Sequence, residues 1–236
     1  MIVAIHQPQY MPWLGYLDKM DKADVFCFLD NVQFKKNEWQ NRNRLRTKEG
    51  WQWITVPVFH DFGQKIMDVR INGAIPWGKK HCRMITQYYS RAPFYREFAP
   101  VFEDLLGRPW ELLSQLNMAV AETLAQNLSI TTRLVKASDM ELPDSPTERL
   151  IGICRELGAD TYLAGRDGAN YMDLELFRRA EIRVLFQDFR HPEYAQAYPG
   201  FVPALSAADL LFCCGPEGME RVRGLNPPLS GSRGQL

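Results

Sequence analysis

Ile2 to Ile5 is an unbroken apolar run closed by His6, Gln7 and Pro8, the pattern of a strand buried on both faces that ends in a loop. Leu14, Leu17 and Met20 then recur at near-helical spacing, and Val25 to Leu29 is a second compact apolar run. The chain therefore opens as strand, loop, helix, strand. Residues 30–50 break this pattern with a polar, basic, amide-rich stretch that reads as a loop or exposed hairpin. Trp51 to Val58 and Lys65 to Ile71 are candidate strands. Three helices follow, over Trp77–Ser90, Ala92–Leu106 and Pro109–Leu128, with Pro109 suited to a first helical turn.

The last third alternates again. Arg133–Lys136, Thr161–Leu163 and Arg183–Phe186 read as strands, and Ser145–Leu157 and Asp173–Ala180 as helices, with Ser145 and Glu148 spaced as a capping box. A short helix over Ser206–Phe212 completes the ordered part. Strands separated by helices predict an α/β fold: a mostly parallel sheet, flanking helices, and a helical insertion over residues 77–128. Residues 1–223 are expected to form one domain, and the Gly-, Pro- and Ser-rich residues 224–236 a disordered tail.

Composition adds limits. The chain has 236 residues, 46% of them hydrophobic and 24% charged, ordinary values for a globular protein. Lys+Arg and Asp+Glu both number 28, so no global field draws the chain to a nucleic acid, and any anion binding must be local. Five cysteines without C-x-x-C spacing indicate neither a disulfide framework nor a zinc ribbon, and they suit a reducing compartment. The opening apolar run is too short for a signal core or a membrane span. A cytoplasmic location is the expectation, and the oligomeric state is not legible.

His6 stands where the first strand ends, and ligands of open α/β sheets bind at the carboxyl ends of strands. It is the first candidate catalytic group, as acid or base or as a hydrogen-bond donor to a phosphate, against the alternative of a loop histidine bonded to backbone. Asp30, following the second strand, would share that crevice, or else cap a turn. In the basic segment the alternation of Arg42, Arg44 and Arg46 puts three guanidinium groups on one strand face, suited to phosphate, while Gln7, Gln33 and Asn41 offer amides; the alternative is a solvated charged face. Gly165 and Tyr171 belong to a glycine-bearing turn, LAGRDGANY, which matches no P-loop. His191 is a secondary loop candidate, and His60 and His81 show no metal-ligand spacing. No metal site is predicted.

The segments AIHQPQYMPWLGYLDKMDKADVFCFLDNVQF, NEWQNRNRLRT, LGADTYLAGRDGANYMD and FVPALSAADLLFCCGPE, in this order, resemble the WbqC-like family. The motif positions include His6, Gln7, Pro8, Trp13, Gly15, Asp30, Gln33, Asn41, Arg42, Gly165, Tyr171, Ser206 and Asp209. The resemblance implies a bacterial protein of surface-polysaccharide (O-antigen, lipopolysaccharide) or natural-product biosynthesis. A fainter likeness is to nucleotidyltransferase-like folds such as pantothenate synthetase, but Tyr16 stands where the second histidine of an H-x-G-H signature belongs. The leading expectation is an enzyme that transfers an acyl or aminoacyl group to an anionic, phosphate-bearing amino sugar or similar metabolite. A nucleotidyl-transfer-like ligase using ATP and Mg²⁺ and a non-catalytic sugar-nucleotide binder are the alternatives.

Overall fold

The computed structural model describes residues 1–170 and 172–229. Strand β1 (Ile2–His6) feeds two cores at once, as a strand covered on both sides must. Ile2 and Ala4 pack with Phe26, Phe28 and Leu163, whereas Val3 and Ile5 pack with Val25, Cys27 and Ala164. Its neighbours are β2 (Val25–Phe28) on one side and β8 (Thr161–Ala164) on the other, and β7 (Arg133–Lys136) and β9 (Arg183–Phe186) complete a five-stranded sheet ordered β7-β2-β1-β8-β9. Every pairing in it is parallel. The chain builds outward from β1 to β7, then returns to the other side of β1 for β8 and β9. That reversal lies between β1 and β8, and such a switch point opens a crevice beyond the strand ends.

One face of the sheet carries α1 (Leu14–Asp21), α2 (Trp77–Tyr89), α3 (Tyr95–Gly107), α4 (Leu113–Asn127), α7 (Ala208–Cys214) and α8 (Gly218–Leu225). The other face is covered by α5 (Pro146–Glu156) and α6 (Leu174–Arg179), through Leu150, Ile151, Ile153, Cys154 and Phe177. Between β2 and α2 the chain forms an antiparallel hairpin, β3 (Arg42–Thr47) with β4 (Gly50–Thr55), and a small pair, β5 (Val58–Phe59) with β6 (Arg70–Ile71). The α/β architecture expected from the alternation is the one observed.

Several details differ from the pattern. The basic hairpin is not a solvated excursion, because Asn43, Leu45 and Arg46 are buried. Most of Lys65–Ile71 is not strand: Ile66–Asp68 turns as a 3-10 helix whose Ile66 and Met67 N–H groups donate to the carbonyls of Val32 and Asp30. Pro109 does not start α4, because Ile71 N–H donates to Glu111 O and Leu113 N–H to Val69 O, holding residues 111–113 beside β6. Ser145 precedes α5 but its hydroxyl caps nothing, whereas Asp173 caps α6 by accepting from Glu175 and Leu176 N–H. Residues 224–229, expected in a disordered tail, begin inside α8 and continue to Asn226, whose amide donates to Arg190 O at 2.8 Å and Val222 O at 2.9 Å. Residues 230–236 lie outside the described residues.

Candidate functional site

His6 ends β1 at the switch point, and Gly165 follows β8 directly. Both line two cavities. One, of about 470 Å³, runs over Ile5, Gln7, Lys19, Gln33, Lys35, Thr147, Arg149 and Tyr162. The other, of about 600 Å³, runs over Trp13, Tyr16, Arg166, Gln187, Phe189, His191 and Ala204. The imidazole thus sits between two chambers at the carboxyl end of the sheet.

Its protonation is set by its surroundings. Nδ1 lies 3.1 Å from Gln7 O, which fixes the proton on Nδ1 and leaves Nε2 as a lone-pair acceptor without a partner among the described residues. Burial, and then the charge of Lys19, pull the imidazolium pKa down to about 3. The ring is therefore neutral at physiological pH, and Tyr16 braces it edge-on at 4.8 Å.

Lys19 was not singled out by the sequence. It is 2% exposed, donates to Ile5 O at 2.8 Å, and is drawn down to about 7 by burial. Together with Lys35 and Arg149 it gives the smaller cavity a cationic lining with no carboxylate among the described lining residues, although Arg149 also donates to Pro143 O and Asp144 O and lies 3.6 Å from the Asp144 carboxylate. Pro146 and Thr147 bring the start of α5 to the same wall. Pro146 has no N–H and Arg149 N–H donates to Ser145 O at 2.8 Å, so with Ser145 not capping the open first-turn donors are the N–H groups of Thr147 and Glu148.

The other sequence candidates divide. Gln7 and Gln33 line the cationic cavity, and Gln7 accepts from Gln40 Nε2 at 2.7 Å. Asn41 is buried and structural: it donates to Val56 O at 3.2 Å and accepts from Asn37 N–H at 3.1 Å. Asp30 is 2% exposed, and both its oxygens accept from Ser138; it lines neither cavity. Arg42, Arg44 and Arg46 do share a strand face, but aromatic rings occupy it. Arg42 lies 4.1 Å over Trp53, and Arg44 lies 5.0 Å over Trp51 and 5.5 Å from Trp39. Neither Arg42 nor Arg44 lines a cavity with His6, although Arg44 donates to Ala204 O behind the larger one. His191 lines that cavity, but Nε2 accepts from Ala204 N–H at 3.1 Å and Nδ1 lies 3.0 Å from Pro192 O, which occupies both nitrogens. Tyr171 lies outside the described residues.

His81 is a core residue, between Tyr10 OH at 2.8 Å and Thr55 O at 3.1 Å. Burial pushes the Cys27 and Cys154 thiols up to about 12, which removes their thiolates. The loop between β1 and α1 is tied to the hairpin. Met11 holds a left-handed φ of 48°, and Asn43 anchors it by donating to Met11 O at 2.7 Å.

A family model for the WbqC-like protein family matches residues 7–221, a span that runs from the loop after His6 through both cavities. The chain belongs to the WbqC-like family. A protein of Mycobacterium tuberculosis (strain ATCC 25618 / H37Rv) named "Uncharacterized protein Rv1507c" is 39% identical over 228 residues, covering 94% of this chain and 97% of the relative. No solved structure matches the chain. Among the described residues no helix is long and apolar enough to cross a membrane.

Proposed function

We propose that this WbqC-like protein is a transferase that moves an acyl or aminoacyl group onto the amine of a small phosphate-bearing molecule, an amino sugar phosphate being the type. One observation carries the reading: His6, a neutral imidazole whose Nε2 has no partner among the described residues, lines a cavity together with Lys19, Lys35, Arg149 and the uncapped start of α5. The phosphate would rest on Lys35, Arg149 and the first-turn N–H groups. Gln7 and Gln33 would read hydroxyls. The amine nitrogen attacks the donor carbonyl, the N–C bond forms as the leaving group departs, and the amine proton passes to His6 Nε2 and on to the leaving group.

Burial is the larger cause of the low His6 pKa and the charge of Lys19 the smaller, so an anion bound beside Lys19 would offset only the second of them. A transfer of this kind would suit surface-polysaccharide or natural-product biosynthesis, the setting that the family resemblance implies.

The test is a panel of amino sugar phosphates with acyl and aminoacyl donors, followed by mass spectrometry of the products. Wild-type protein should form an amide, and His6→Ala should slow it by about 100-fold to 10,000-fold, the usual share of a placed base. An unchanged rate would remove His6 from the chemistry. Phosphate binding with no product from any donor would instead favour a non-catalytic carrier.

A further inference from the structure

The transferase reading leaves the larger cavity without an occupant. We infer that this cavity seats the amino-bearing base of a nucleoside, so that the donor is carried by a nucleotide and approaches His6 from the side opposite the anionic acceptor. The inference rests on the transferase reading for the donor role, but the binding site itself stands on its own geometry.

The walls suit a flat ring. Trp13 and Phe189 meet edge to face with centroids 5.2 Å apart, and Tyr16 and His6 close the inner end. Gly15 makes room for the indole, since a Cβ there would stand 2.3 Å from the Trp13 ring, and only a residue without a side chain lets the ring lie at this wall as a platform for a base.

The polar edge points to an amino group. Gln187, just after β9, donates through Nε2 to Gly15 O at 2.8 Å and to Asp18 Oδ2 at 2.7 Å. Those bonds settle which end of the amide is oxygen. Oε1 has no hydrogen bond among the described residues and belongs to a side chain on the cavity wall, so it can accept from an exocyclic amine. Adenine and cytosine carry such an amine; uracil presents a carbonyl there and would be repelled. The cavity has room, at about 600 Å³, for a nucleoside with its sugar turned toward His6.

Calorimetry on the full chain with adenosine, uridine and inorganic phosphate, each titrated separately, tests this. Adenosine should bind more tightly than uridine, and Trp13→Ala should weaken adenosine by about tenfold, the scale of one stacked base, while phosphate affinity stays as in wild type. Phe189→Ala serves as the second variant should Trp13→Ala fail to fold. No heat with adenosine at millimolar concentration, or equal affinity in wild type and both variants, overturns the proposal, and so does equal binding of adenosine and uridine. Adenosine bound without phosphate would sink the anion site and keep this one; the converse would sink this one alone.

Discussion

Ser138 holds both carboxylate oxygens of Asp30, its N–H on Oδ1 at 2.9 Å and its hydroxyl on Oδ2 at 2.7 Å. The pair ties the turn after β2 to the turn after β7 and gives each carboxylate oxygen a structural partner. Asp30→Ala should therefore cost roughly 1–3 kcal/mol of stability, the scale for donors left unsatisfied in the interior, and leave phosphate affinity unchanged. Urea midpoints and phosphate titrations would show it. A folded variant that had lost phosphate binding would return Asp30 to the site.

Cationic residues should sort by cavity rather than by sequence neighbourhood. Lys35→Ala and Arg149→Ala should each weaken inorganic phosphate several-fold, and more at low salt, because both line the chamber with His6. Arg42→Ala and Arg44→Ala should leave that affinity nearly intact, since their guanidinium groups lie over the Trp53 and Trp51 rings. Weakening confined to the Arg42 and Arg44 variants would reverse this assignment.

The sheet was readable because its strands are short apolar runs between breakers: Arg133–Lys136 and Arg183–Phe186 are observed with the expected bounds. His6 followed from the same logic, as the first polar residue after a buried strand. Lys19 escaped because Leu14 to Met20 are buried all round α1, so helical periodicity could not mark one lysine as facing a cavity. Asp30 and Asn41 lie off both cavities for a related reason: Asp30 accepts from Ser138 and Asn41 donates to Val56 O, partners that folding brings near and no local spacing records. The arginine alternation was real, but the tryptophans that occupy its face come from across the hairpin and from the residues before β3.

Lys19 should leave a signature in the pH dependence of stability. Its folded pKa lies near 7 and its unfolded value at 10.5, so between these the unfolded chain binds more protons and stability rises with pH. The slope cannot exceed about 1.4 kcal/mol per pH unit for one group. Lys19→Met removes it, so the urea midpoint of wild type should gain on that of the variant from pH 7 to pH 9. Parallel curves over that interval would mean that Lys19 keeps an ordinary pKa in the fold.

Arg46 is the arginine whose loss should damage the fold most. It is 3% exposed and donates to Thr47 O at 2.5 Å, Gly50 O at 2.9 Å, Pro199 O at 2.7 Å and Gln196 Oε1 at 3.1 Å, so one guanidinium joins the hairpin turn to the segment before α7. Asp209, buried nearby and held by Tyr194 OH at 2.8 Å, feels its charge. Arg46→Ala would strand several carbonyl acceptors and should cost roughly 3 kcal/mol or more. Arg46→Lys should recover only part of this, because an ammonium is a point donor and cannot span the acceptors that the planar fork reaches. Full recovery in the lysine variant, read from thermal melts, would show that charge beside Asp209 matters there and the fork geometry does not.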